Sequence, residues 1–328
     1  LTLASDLHLH PEIVSKAERG YALAERSPKE AVKALASPID PQMSPVEAFR
    51  AIALSCLTQL QRNEAGVIAR ENPEFVHQAR VAIRRLRSAI NLFSPLLSQD
   101  FIAVYSPRWR DLASQLGSAR DWDVFLAETL APLEEAFPGD ADLAELRARA
   151  EAIQKKAQAS AAVALMQADY SRLLLAFSAA LFRVEAPTIA GPDKSSASMP
   201  SLRRFAARRL QKRARMIETL VREHGRMNAE RRHELRIAFK KLRYALEFFA
   251  PILQRKRLIA YQASLSSIQD LLGTLNDQVT ASRLIKAVHS KHEPDPLTRG
   301  WIAGRSQLLI KSLTEELRHF MLSKRPWA

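Results

Sequence analysis

Apolar residues recur at three- and four-residue spacing along most of the chain, and the two-residue alternation of a strand is absent throughout. Ser44-Pro45-Val46-Glu47 opens the first long helix. Ser44 stands as N-cap, Pro45 in the first helical position and Glu47 three residues after the cap. That helix should run to about Arg70, where Asn72-Pro73-Glu74 restarts the chain into a second helix ended by Pro95. The pattern predicts further helices over 100–117, 121–136, 141–182, 201–224, 230–253, 257–274, 277–291 and 297–322. Residues 1–42, broken by Pro11, Pro28, Pro38 and Pro41, read as an irregular segment following a missing preceding domain. Residues 185–200, rich in Pro, Gly and Ser, read as a linker. Helix pairs joined by short turns then predict an all-α fold of two tandem four-helix bundles, 43–184 and 201–328.

The two halves carry the same helix twice. His77-Gln-Ala-Arg-Val-Ala-Ile-Arg-Arg-Leu-Arg87 returns 156 residues later as His233-Glu-Leu-Arg-Ile-Ala-Phe-Lys-Lys-Leu-Arg243. Nine of 21 positions in 77–97 match 233–253, and Leu116-Gly117-Ser118 with Asp121 aligns without a gap to Leu272-Gly273-Thr274 with Asp277. An unbroken offset points to an internal duplication. Drawn at about 100° per residue, His77, Arg80, Arg84 and Arg87 share an arc of about 80°. Ala79, Ala82, Ile83, Leu86, Ala89, Ile90 and Phe93 form a separate apolar stripe. The second copy places Arg236, Lys240 and Arg243 with His233 on the basic arc, and Leu235, Phe239, Leu242 and Leu246 on the apolar one.

Charge sharpens this pattern. The chain has 49 basic and 35 acidic residues, a net charge of +14, which implies an anionic partner. Seven cations and no acid lie between Ser201 and Arg215, with Arg204, Arg208, Lys212 and Arg215 on one face of their helix. The matching helix of the first half has only Arg50 and Arg62, so the basic surface should be lopsided. Residues 128–145 carry six acids and read as a solvated acidic edge. One cysteine, Cys56, excludes an intrachain disulfide and fits a reducing compartment. The longest apolar run, Leu173 to Phe182, is about half the roughly 20 residues that span a bilayer. No secretory leader is recognisable, so the expected location is the cytoplasm. Without an initiator Met, the chain reads as an excised or processed piece.

The doubled His-x-x-Arg-x-x-x-basic-basic-Leu-Arg helices, each followed by Leu-Gly-x-x-x-Asp, resemble the CHAD family (conserved histidine α-helical domain) over roughly 43–328. The resemblance implies two four-helix bundles related by a pseudo-two-fold axis, with a basic surface between them that binds inorganic polyphosphate. On the matching motif positions, the implied binding residues are His77, Arg80, Arg84, Arg85, Arg87, His233, Arg236, Lys240, Lys241 and Arg243. Arg204, Arg208, Lys212 and Arg215 join them as candidates through their own charge. The head of the chain, Leu7-His8-Leu9 with Ser15 to Tyr21, resembles the segment joining a triphosphate-tunnel (CYTH) domain to CHAD in fused proteins. That domain's Glu-x-Glu-x-Lys signature is absent here.

Other chemistries fit less well. Cations beside His77 and His233 would repel a metal ion, and no carboxylate or thiol shares those arcs. His289 and His292 have i,i+3 spacing but stand near Lys286 and Lys291, as in a solvated helix end. His233-Glu-Leu-Arg236 mimics a sensor-kinase phosphoacceptor box, without the ATP-binding α/β domain such kinases need. No nucleophile–base pair or carboxylate pair can be placed, so no catalysis and no cofactor are expected, and Asp121 and Asp277 read as helix caps or partners of nearby arginines. Nucleic acid is the alternative ligand. It shares the phosphate backbone, yet the basic arcs offer only Tyr244 for base stacking.

Overall fold

The computed structural model describes residues 9–25, 30–185, 200–222, 228–288 and 296–327; all regular elements among them are helical. They run α1 (Lys16–Glu25), α2 (Pro45–Ala69), α3 (Pro73–Phe93), α4 (Gln99–Val124), a π-helical turn (Phe125–Leu130) and α5 (Ala131–Ala136). Then follow α6 (Ala141–Met166), α7 (Ala168–Arg183), α8 (Leu202–Arg222), α9 (Ala229–Phe249), α10 (Arg255–Val288) and α11 (Pro296–Met321). No helix among the described residues is long and apolar enough to cross a membrane.

The helix ends obey local chemistry. Ser44 Oγ accepts from the Glu47 backbone N–H at 3.2 Å, and Glu47 returns the favour to the Ser44 N–H at 2.7 Å. Both orphan donors of that end are thereby satisfied. Asn72 caps α3 through the Glu74 N–H at 2.7 Å. Pro95 and Pro251 sit in short 3₁₀ turns that close α3 and α9.

Several expected breaks do not occur. The helices predicted over 100–117 and 121–136 are continuous through Asp121, and those over 257–274 and 277–291 are the single helix α10. Asp121 and Asp277 therefore cap nothing. Asp121 instead accepts from Arg283 at 3.3 Å. A helical glycine costs about 1 kcal/mol, which buried neighbours easily offset. Leu116, Ala119, Leu272 and Leu275 supply them. Conversely, the helix expected over 141–182 breaks at Gln167, whose backbone is extended. The acidic edge is partly neutralised from within, since Glu134 receives the Arg147 guanidinium and Glu145 pairs with Arg149.

The described chain separates into two compact units that are discontinuous in sequence. Unit 1 comprises residues 1–120 and 156–205, and unit 2 comprises 121–155 and 206–328. Their limits thus differ from the repeat limits of 43–184 and 201–328. The reason is local: the π-helical turn and α5 pack with the second repeat, as when Phe137 meets Trp301 edge-on at 6.2 Å.

Unit 1 is built around a ring cluster of Phe49, Phe93, Phe101, Tyr105, Trp109 and Phe177. Phe205, from the start of α8, stacks on Phe93 at 5.2 Å. Cys56 is buried in α2. Unit 2 centres on Phe239, Tyr261, Phe320 and Trp327.

The N-terminal segment is not wholly irregular, because it holds α1, and it is fastened to unit 1. Asn63 of α2 clasps the Val32 backbone, accepting from its N–H and donating to its carbonyl, both at 2.9 Å. Gln61 donates to Pro11 O at 2.9 Å. His10 bridges Glu64 at 2.8 Å and Ser171 at 2.9 Å, while the Tyr170 hydroxyl donates to the second Glu64 oxygen. Burial pushes the Glu64 carboxyl up and the Tyr170 phenol well up. Residue types of a hydrolytic triad meet here, yet Ser171 is only 2 % exposed. A hydroxyl so sealed serves as an anchor rather than a nucleophile. Leu7 and His8 lie outside the described residues.

Two glycines should respond oppositely to a methyl group. A Cβ on Gly66 would stand 2.2 Å from the buried ring of Phe75, whereas one on Gly273 meets nothing within 4 Å. Gly66→Ala is expected to destabilise by about 1–3 kcal/mol through overpacking. Gly273→Ala is expected to stabilise by about 1 kcal/mol through helix propensity. Urea unfolding of both variants checks the pair, and equal effects would contradict this packing.

Candidate functional site

In unit 1 the basic arc lies on α3, held in place by a stripe that is almost wholly buried. Ala79, Ala82, Ile83, Leu86 and Ala89 are each at most 1 % exposed. His77, Arg80 and Arg84 are half-buried, and Arg87 is exposed. The His77 imidazole is held below its ordinary value, first by desolvation and then by Arg120 of α4; Glu74 opposes this, while Arg84 and Arg80 add to it. Arg80 donates to the Gly117 carbonyl at 2.9 Å, which fixes its guanidinium against α4. Among the described residues, the buried Arg84 Nε meets no hydrogen-bond acceptor. A buried donor left unmatched costs about 1–3 kcal/mol, and more when charged. Arg87 is lowered by desolvation and by the neighbouring Arg110, with Asp111 acting against both.

Arg85 stands apart. It is 7 % exposed, among the buried polar residues of the fold. Its place on the helical wheel explains this, since it falls about 80° from His77 on the side away from Arg80 and Arg84, toward the apolar stripe. A motif position alone did not reveal that difference.

In unit 2 the repeated helix α9 is arranged more openly. His233 and Lys241 are exposed, and Arg236, Lys240 and Arg243 are half-buried. Leu235, Phe239, Leu242 and Leu246 form the buried stripe, each at 0 %. Arg243 faces Glu247 at 3.6 Å and lies 5.0 Å from the ring centre of Tyr244. On α8, Arg204, Arg208, Lys212 and Arg215 are all exposed, as their shared face predicts.

The more constrained cations of α8 are two that the sequence reading passed over. Arg209 and Arg213 are half-buried, with burial lowering both guanidinium groups. Arg213 is pushed down to about 10 by burial and by Arg209. Lys241 of α9 is lowered by desolvation and by Arg213. Their spacing held the signal. Arg209 and Arg213 are four residues apart and share a side of α8 with Ala206 and Leu210, both buried. Cations on that side are not simply solvated. In unit 1 the equivalent omission is Arg120, which the continuous course of α4 brings to His77.

Both units therefore gather like charges at partly dehydrated positions, which costs folding energy and strengthens the local positive potential. Among the described residues no group of three or more His, Cys, Asp or Glu side chains is placed to hold a metal ion. His289 and His292 lie outside the described residues.

The CHAD domain family model matches residues 51–286. The crystal structure of the CHAD domain from the plant Ricinus communis is similar over 90 % of this chain and 98 % of its own, at 30 % identity and a TM-score of 0.73. PptA from Streptomyces chartreusis shares the fold at 16 % identity and a TM-score of 0.60, over 85 % of this chain and 99 % of its own. No curated protein matches the chain. Two basic helices of one design, with a family model that spans most of the sequence and a solved relative of matching length, place this chain in the CHAD family.

Proposed function

We propose that this CHAD protein is a non-catalytic module that binds inorganic polyphosphate through the basic faces of α3, α8 and α9. The observation that carries the reading is the clustering of mutually repelling basic groups in each unit. The half-buried Arg80, Arg84 and Arg120 gather around His77 in one, and the half-buried Arg209 and Arg213 stand beside the exposed Lys241 in the other. An anion with charge at short, regular intervals relieves several of those repulsions together. The contacting set we propose is His77, Arg80, Arg84 and Arg87 of α3, and His233, Arg236, Lys240, Lys241 and Arg243 of α9. Arg204, Arg208, Lys212 and Arg215 of α8 extend it, and Arg85 supports α3 from inside. The arcs of α3 and α9 line one shared groove in this proposal. Attachment to polyphosphate granules in the cytoplasm, or service to a fused triphosphatase-like domain, are the roles such binding would fill.

Nucleic acid is the competing ligand. The one aromatic on the basic arcs of α3 and α9, Tyr244, is 2 % exposed and so offers no platform for base stacking. Long polyphosphate should therefore outcompete single-stranded DNA of equal charge in a filter-binding assay, and orthophosphate should barely compete. With roughly 6–10 phosphate contacts, affinity should fall by about 10³–10⁵ between 50 and 200 mM salt, as for nucleic-acid binders. A flat salt response would remove the electrostatic reading. A shared groove further requires one short polyphosphate chain per protein, whereas independent arcs would take up two.

Charge and fold should separate by mutation. Arg84→Gln, Lys240→Gln and Lys241→Gln together remove three repelling cations and leave the apolar stripes intact. Polyphosphate binding should be lost with an unchanged or slightly higher Tm. Arg80 is left in place because it also secures Gly117. Leu86→Ala and Leu242→Ala, at sites 1 % and 0 % exposed, should each cost about 2–5 kcal/mol of stability. Thermal melts beside binding isotherms distinguish the two classes.

Protonation gives an independent check. His77 is held below its ordinary value in the free protein, so it is mainly neutral near pH 7. A bound polyanion favours the imidazolium, and binding should then take up a proton. Affinity should rise as pH falls from about 7 to about 5, and His77→Gln should flatten that slope. An unchanged slope in the variant would show that His77 does not sense the ligand.

A further inference from the structure

The helix α8 is strongly basic, yet it carries one carboxylate. Between Leu202 and Arg222 stand eight Arg and Lys residues and a single acid, Glu218. On the helical wheel Glu218 falls at the edge of the basic face, about 40° from Arg222 and about 60° from Arg215. These are its i+4 and i−3 neighbours, the spacings at which a carboxylate and a cation pair along a helix. Both arginines are exposed. Left to itself, Glu218 would pair with one of them and cancel part of the charge that α8 offers to an anion.

A different partner takes it. Arg325, four residues past the end of α11, donates from Nη2 to Glu218 Oε1. Its Nη1 donates at 3.1 Å to Oε1 of Gln211, seven residues before Glu218 on α8. The same oxygen receives the Trp327 indole N–H at 3.1 Å. The Trp327 ring meets Tyr261 of α10 edge-on at 5.4 Å, and Pro326 is buried. Three consecutive residues after α11 are thus seated in unit 2, with the guanidinium held between two side chains of α8. The Arg325 and Glu218 side chains are only 32 % and 20 % exposed. A pair so sheltered is screened less than one on an open helix face, so Glu218 goes to the tail rather than to Arg215 or Arg222.

We propose that Arg325 is a positioning residue of the polyanion site. It withdraws the one carboxylate of α8 from the basic face, so that Arg208, Lys212, Arg215 and Arg222 meet the ligand without a competing acid on their own helix. Trp327 and Gln211 keep the guanidinium in place. The inference rests on the polyphosphate reading and adds to it a residue that acts through Glu218 and touches no phosphate.

The test is a double-mutant cycle on the whole chain, read by the anisotropy of end-labelled long-chain polyphosphate at several salt concentrations. Arg325→Gln should weaken binding about tenfold and lower the slope of log affinity against log salt by about one, as for one lost phosphate contact. Adding Glu218→Gln should restore wild-type affinity and slope, which a repair of packing would not do. Lys324→Gln removes the same charge from an exposed position of the tail and should weaken binding less than about threefold. Thermal melts accompany each isotherm. Arg325→Lys keeps a charge beside Glu218 and should bind as wild type does, even if its Tm falls. Wild-type affinity in Arg325→Gln, a loss that Glu218→Gln does not repair, or an equal loss in Lys324→Gln would each overturn the inference and leave the polyphosphate reading standing. A wild-type chain that binds no polyphosphate would overturn both.

Discussion

The basic faces of α3 and α9 depend on the division of each helix into a buried apolar stripe and a basic arc. Repulsion among cations spaced three and four residues apart works against each helix. It is tolerated because the opposite face buries completely, with Leu86, Leu242, Phe239 and their neighbours withdrawn from water. Each buried leucine contributes about 1.5–3 kcal/mol, more than a surface pair of like charges takes away. The apolar stripe therefore supplies the energy that keeps the positive charge concentrated. A helix with a weaker stripe would have to disperse those charges or pair them with acids.

The two copies apply this rule differently. In α3 the basic side chains lie close to α4, where Arg80 reaches a backbone carbonyl and Arg120 approaches His77. In α9 the histidine and Lys241 reach solvent, and it is α8 that brings partly dehydrated arginines to the helix. Similar motif letters thus lead to a backbone-anchored basic surface in one unit and a more exposed, arginine-flanked one in the other.

Much of this was legible in the sequence because it depends on local chemistry. The capping box at Ser44 and Glu47, the Asn72 cap and the proline stops after α3 and α9 each need only neighbouring residues. The stripe and arc of α3 follow from periodicity alone. Where tertiary packing decides, the reading failed. Leu-Gly-x-x-x-Asp looks like a helix end, but buried leucines carry α4 and α10 straight through it. Arg85 belongs to the motif by letter and to the interior by position. Residues 121–155 group with the second repeat because of aromatic and helix contacts that no local pattern displays. Arg209 and Arg213 were within reach, since cations between buried apolar positions of one helix mark a special environment.

The fastening of the N-terminal segment bears on where this protein can be cut. The family match begins at residue 51 and the helical repeat near residue 43, yet α2 is finished by groups that come earlier. Asn63 satisfies its amide on Val32, Gln61 on Pro11, and Glu64 draws on His10. A chain begun at the repeat would bare three polar side chains on the outer face of α2, among them a carboxylate whose surroundings were shaped for burial. The folding unit of the first repeat is thus larger than its recognisable homology, and its margin is written in hydrogen bonds rather than in motif letters.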